Sequence, residues 1–191
     1  MRIGLLGGSF NPAHRGHRRM SEVALAHLGL HAVWWLVSPQ NPLKDAATLA
    51  DYEARLAAAR EAARHPRIVV SDLEARLGTR YTIDTLTALK RRHPGVAFVW
   101  LMGEDNLPAL HRWRRWRAIF ATFPVAVIAR PGYGLAAAAS RAAQSFSRAR
   151  IPASRARGLA NAALPAWTLI VDRPDPASAT AIRRTGAWPP A

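Results

Sequence analysis

Short apolar runs recur along the chain at 3–6, 33–37, 68–70, 96–101, 125–129 and 168–171. None alternates cleanly between polar and apolar positions, and a near-continuous apolar strand is what a parallel sheet covered on both faces requires. Between the runs, apolar residues spaced by three and four predict helices over about 17–28, 51–64, 82–92 and 104–120. The second of these opens on Asp51, a residue suited to an N-cap, and carries Leu56, Ala59, Arg60 and Ala63 at helical spacing. Strands alternate with helices throughout. The chain is therefore expected to form an α/β, Rossmann-like doubly wound parallel sheet in a single domain spanning 1–191, with ligands at the carboxyl ends of the strands. Residues 134–164, rich in Ala, Arg and Ser, carry no motif and are expected to form a helix and a loose, variable surface connection.

Composition narrows the setting. Half of the 191 residues are hydrophobic and a fifth are charged, a globular balance. No apolar run approaches the roughly 20 residues that span a bilayer, and the first run is too short for a signal peptide, so a cytoplasmic protein with no membrane partner is expected. The absence of cysteine excludes disulfides, thiolate metal sites and thiol nucleophiles. A net charge of +15 invites a nucleic-acid reading. Against it, the cations are almost all arginine, with Lys44 and Lys90 the only lysines, and they are scattered apart from 112–117 and the acid-free run 141–157. A small anionic substrate plus compositional drift explains the charge better, and no nucleic-acid partner is expected. Whether the chain forms a homo-oligomer is left open.

The densest chemistry follows the first apolar run, in Gly7-Gly8-Ser9-Phe10-Asn11-Pro12-Ala13-His14-Arg15-Gly16-His17. Glycines let backbone N–H groups approach an anion, and a helix N-terminus adds partial positive charge. Two imidazoles at that point can donate to phosphate oxygens as charge shifts during phosphoryl or nucleotidyl transfer. The arrangement reads as a triphosphate cradle.

Four more blocks fall just after strands. Lys44 sits in a loop stiffened by Pro39 and Pro42, as an exposed lysine or as a point charge for phosphate. Thr82 and Asp84 either cap a helix or meet a substrate carboxylate there. Gly103 and Asp105 suit a ribose or simply start a helix, and Trp113 offers a face for a flat heterocycle, with one of Trp113 and Trp116 expected in the core. Ser178, Thr180 and Arg183 form a capped helix or a second anion site.

In this order, the blocks resemble the bacterial nicotinate-nucleotide adenylyltransferases of the HxGH nucleotidylyltransferase superfamily. The resemblance runs from Gly7 to Arg183 through Asn-Pro-Leu-Lys, Tyr-Thr-Ile-Asp-Thr-Leu, Gly-Glu-Asp-Asn-Leu with His-Arg-Trp, Ala-Arg-Pro-Gly at 129–132, and Ser-Ala-Thr-Ala-Ile-Arg. It implies transfer of AMP from ATP to nicotinate mononucleotide, giving deamido-NAD and pyrophosphate in NAD biosynthesis, with Mg²⁺ accompanying ATP. It implies catalytic roles for His14, His17, Lys44 and Arg183. Gly8, Ser9 and Phe10 would line the nucleotide path, Gly103 and Asp105 the adenosine side, and Ser178, Thr180 and Arg183 the phosphates. Asn11, Lys44, Thr82, Thr85, Trp113 and Arg130 would serve the nicotinate nucleotide. Among these, Thr85 and nearby backbone would receive the ring carboxylate, and Trp113 would stack on the ring.

Three positions depart from the family pattern. Asn11 stands where many members have aspartate, Ala179 replaces a serine, and the chain ends eight residues after Arg183, where reduced packing is expected. The rival readings are an adenylyltransferase for phosphopantetheine or the nicotinamide mononucleotide, a nucleic-acid binder using 141–157, and a nucleotide sensor without turnover.

Overall fold

Neighbouring residues of each apolar run go to opposite faces of one sheet, so every strand is apolar on both sides. Leu6 of the first strand, Val99 and Leu101 of the fourth and Ala126 of the fifth join one buried cluster; Ile3 and Leu5, Phe98 and Trp100, and Val125 and Val127 join the other. The computed structural model describes residues 1–40, 49–129, 139–172, 179–185 and 188. Its strands are β1 (Arg2–Gly8), β2 (Ala32–Val37), β3 (Ile68–Ser71), β4 (Ala97–Gly103), β5 (Val125–Ala129) and β6 (Trp167–Val171). All pairings are parallel, in the order β3-β2-β1-β4-β5-β6. The order reverses between β1 and β4, which opens a crevice at their carboxyl ends.

The described helices are α1 (Arg15–His27), α2 (Tyr52–Ala63), α3 (Leu73–Leu77), α4 (Thr82–Arg92), α5 (Leu107–Leu110), α6 (Trp116–Thr122), α7 (Arg141–Ser145) and α8 (Ala179–Arg184). Helices α1 and α2 cover the first cluster; α4, α5, α6 and α7 cover the second. Asp51 caps α2 as expected, accepting from the N–H groups of Glu53 and Ala54 at 2.9 and 3.2 Å.

The structure corrects one expected helix and refines three other readings. The helix expected over 104–120 is broken: a 3-10 turn at Glu104–Asn106 leads into α5, and α6 starts only after Arg115, whose φ is +48°. Pro108 in the first turn of α5 and the left-handed Arg115 account for the break. On α2 the buried cation is Arg55 (1% exposed), while Arg60 is exposed. Neither Thr82 nor Asp84 caps α4; Tyr81 holds that place, and both residues lie inside the first turn. Over its described part the 134–164 segment holds the expected helix, α7, and lies mostly exposed on the surface, anchored by the buried Ala142, Ala143, Ala156, Leu159 and Ala160.

Candidate active site

A cavity of about 590 Å³ opens at the carboxyl ends of β1 and β4, a size suited to a small organic ligand. Gly7, Gly8, Met102 and Gly103 line it from the strand ends, and His14 and His17 from the start of α1. Tyr81, Thr82 and Trp113 line another side, and Thr180 and Arg183 of α8 line a third.

The two histidines build the N-terminus of α1. His14 is the N-cap, and its Nδ1 accepts the Gly16 N–H at 3.1 Å; Nδ1 of His17 accepts the His14 N–H at 3.2 Å. An imidazole nitrogen that accepts a backbone N–H carries no proton, so this hydrogen-bond pattern assigns the proton of each neutral ring to Nε2. The rings lie 4.0 Å apart, and His17 also packs against Phe10 at 4.9 Å. Phe10 is itself buried, stacked on Trp35 at 5.0 Å, and held at φ +46°, a left-handed conformation that costs a non-glycine residue about 1–3 kcal/mol. The nucleotide-path residue of the sequence reading is thus also a wedge that fixes His17.

Arg183 reaches back across the fold. One of its guanidinium nitrogens donates to the backbone carbonyl of Asn11 and the other to Thr180 Oγ1 at 3.2 Å. The Asn11 side chain is buried, and its Oδ1 accepts from the Ala50 N–H at 3.2 Å and from Trp188 Nε1 at 2.8 Å. Trp188, which follows α8 where reduced packing was expected, is therefore itself tied to the histidine loop.

Two glycines are there for their neighbours. A Cβ on Gly7 would lie 2.4 Å from the Trp100 ring, which lines the cavity and whose Nε1 has no hydrogen-bond partner among the described residues. A Cβ on Gly103 would lie 2.4 Å from Asp105 Oδ1, so the missing side chain at Gly103 makes room for the Asp105 carboxylate. Trp116 is the core tryptophan, at 7% exposure, and Trp113 is the half-buried one on the cavity wall.

Arg55 and Glu74 were missed by the sequence reading. Arg55 donates to the carbonyls of Ala50 (2.9 Å), Ser9 (2.8 Å), Ser38 (2.7 Å) and Pro39 (2.8 Å), pinning the loops after β1 and β2 together. Its position four residues before Ala59, itself four before Ala63, was the available signal. Glu74 of α3 is buried yet lines the cavity. Thr85 does not line it: at 1% exposure it lies behind the wall, its hydroxyl donating to Glu74 Oε1 at 3.3 Å. On this wall the threonine at the cavity is Thr82, in the first turn of α4.

Lys44, Arg130 and Ser178 lie outside the described residues. Among the described residues no three His, Cys, Asp or Glu side chains gather as metal ligands, and no helix is long and apolar enough to cross a membrane.

The cytidylyltransferase-like family model matches residues 5–185. A Cereibacter sphaeroides protein named "Probable nicotinate-nucleotide adenylyltransferase" is 55% identical over 188 residues, covering 98% of this chain and 100% of its own. A Parvibaculum lavamentivorans protein of the same name is 52% identical over 188 residues, covering 98% of this chain and 94% of its own. The solved structure of Plasmodium falciparum nicotinic acid mononucleotide adenylyltransferase complexed with NaAD matches with a TM-score of 0.70 at 18% identity, over 96% of this chain and 82% of that one. At that identity the likeness concerns the fold.

Proposed function

The chain belongs to the cytidylyltransferase-like family and, within it, to the nicotinate-nucleotide adenylyltransferases, and on that footing we propose that it transfers AMP from ATP to nicotinate mononucleotide, yielding deamido-NAD and pyrophosphate. The observation that carries this reading is the paired capping of His14 and His17, which presets both Nε2–H donors at a cavity that Arg183 also lines.

In the reaction, an oxygen of the mononucleotide 5′-phosphate forms a bond to the α-phosphorus of ATP, and the bond from that phosphorus to the pyrophosphate oxygen breaks. The nucleophile is already anionic, so no proton has to leave it. What the reaction needs is alignment and donors aimed where negative charge grows. His14 and His17 are assigned to the phosphates, with Arg183 across from them. Lys44 and Ser178 are proposed as further phosphate ligands, and Arg130 and Asn11 as contacts to the acceptor nucleotide.

On the acceptor side, Trp113 offers a face to the pyridine ring. The first turn of α4, entered through Thr82, offers backbone N–H groups and the positive end of a helix to the ring carboxylate. Gly103 and Asp105 are assigned to the adenosine ribose. Among the described residues only Asp105 and Glu74 bring carboxylates to the cavity, too few for a protein-built cage, so Mg²⁺ is assigned to the ATP phosphates, where a hard cation keeps oxygen ligands and neutralises charge. A cytoplasmic setting and small-molecule rather than nucleic-acid partners belong to the same proposal.

The test is pyrophosphate release from ATP and Mg²⁺ with nicotinate mononucleotide, nicotinamide mononucleotide or phosphopantetheine as acceptor, beside the His17→Ala variant. Release with the nicotinate acceptor, lost in the variant, is expected. Release with phosphopantetheine alone would transfer the protein to the rival reading.

A further inference from the structure

Glu74 is a buried carboxyl (7% exposed) on the cavity wall that also carries Arg80, Tyr81 and Thr82. Two neutral side chains hold it. The Thr85 hydroxyl donates to Oε1 at 3.3 Å and is itself 2.8 Å from the Thr79 hydroxyl; the Ser38 hydroxyl at the end of β2 bonds to it as well. Among the described residues Glu74 has no ion pair. Burial without a cation favours the neutral acid, and it pushes Glu74 up to about 7 even though both hydroxyls pull the other way.

We propose that Glu74 is a specificity-determining residue for the ring substituent of the acceptor, hydrogen-bonding that substituent from the cavity wall beside the first turn of α4. This rests on the adenylyltransferase reading above. Protonated, the carboxyl donates its O–H to a ring carboxylate. Ionised, it repels that carboxylate and accepts instead from the N–H groups of a carboxamide. The start of α4 favours an anion at every pH; Glu74 adds a preference that changes sign with its own charge.

Other charged and titratable groups lie around it. Arg80 approaches from the loop before α4, and Arg114 from the loop before α6, over the Tyr81 ring at 4.6 Å. Tyr52 faces Glu74 from α2 and is pushed further up by burial, and Asp72 and Arg76 are paired with each other at 2.9 Å. His14 and His17 border the cavity on the phosphate side, where the two acceptors are identical.

The experiment measures kcat/KM for nicotinate and nicotinamide mononucleotides with MgATP, from about pH 6 to about pH 8.5, for wild type, Glu74→Gln and Thr85→Val. The 5′-phosphate, ATP and both histidines are common to the two acceptors, so their titrations cancel in the ratio. The wild-type ratio of nicotinate to nicotinamide is expected to fall about ten-fold per pH unit above about 7. Glu74→Gln should flatten it, and Thr85→Val, which removes a hydrogen bond that favours the ionised form, should move the midpoint to higher pH. Turnover with a flat wild-type ratio, or an unchanged slope in Glu74→Gln, overturns the proposal. If Glu74→Gln does not fold, the wild-type slope and the Thr85→Val midpoint decide it. Turnover with neither acceptor at any pH overturns the adenylyltransferase reading itself, and this inference with it.

Discussion

His17 Nδ1 accepts the backbone N–H of His14 at 3.2 Å, while His14 Nδ1 accepts that of Gly16 at 3.1 Å. One nitrogen of each ring builds the start of α1, and the other is the donor assigned to phosphate. Cap and chemistry therefore share side chains, and substitutions can separate them.

His14→Asn keeps a good N-cap and removes the imidazole Nε2 donor. Stability to urea should stay within about 0.5 kcal/mol of wild type, while turnover falls about 10²–10³-fold, the usual scale for losing a preorganised donor. Equal losses of stability and turnover would assign the ring to the fold alone.

Arg55→Leu should be among the most damaging single changes. It strips the donors from the carbonyls of Ser9, Ser38, Ala50 and Pro39, and a cost of about 3–5 kcal/mol is expected in urea unfolding. Arg55→Lys keeps the charge but not the fork, so it should recover only part of that loss.

Trp188→Phe removes one donor from Asn11 Oδ1 and leaves the other, from Ala50. About 1 kcal/mol of stability should be lost. Because Arg183 is bonded to the backbone of the same Asn11, KM for ATP should rise several-fold with kcat little changed. Unaltered KM would mean that the indole anchors the chain without positioning Arg183.

Gly7→Ala places a methyl group 2.4 Å from the Trp100 ring, which is 2% exposed and borders the cavity. Overpacking of this kind costs about 1–3 kcal/mol. The displaced ring also narrows the cavity, so a melting-temperature drop should accompany weaker ATP binding in calorimetry.

Glu74 makes stability depend on pH. Its native value of about 7 lies above the ordinary 4.5, so between those values the folded state holds the proton more tightly than the unfolded chain. Stability should then fall as pH rises from 4.5 to 7, by about 3 kcal/mol in all, and stay low above 7. Glu74→Gln should be more stable than wild type at pH 8, with the advantage gone near pH 4.5. Chemical denaturation at both pH values measures the difference.

The strands were legible because burial on both faces leaves a local mark: Leu5 and Leu6 go to different clusters, yet both must be apolar. The histidine loop was legible for a similar reason. Strand, turn, cap and donors all lie between residues 3 and 17, and short-range geometry sets how they meet. The broken helix at 104–120 left only Pro108 as a warning, since the left-handed Arg115 has no glycine to announce it.

By itself the sequence determined the parallel α/β alternation, the histidine pair and the family resemblance, because each is written in neighbouring residues. Only the tertiary structure decided that Thr82 rather than Thr85 meets the cavity, that Trp113 faces it while Trp116 is buried, and that Glu74 sits in its wall. Helix α3 is five residues long, too short to display a period, and the bond from Trp188 to Asn11 joins residues 177 positions apart. Periodicity records which side of an element is buried. What that side touches depends on how distant segments close onto one another, and no local pattern carries that information.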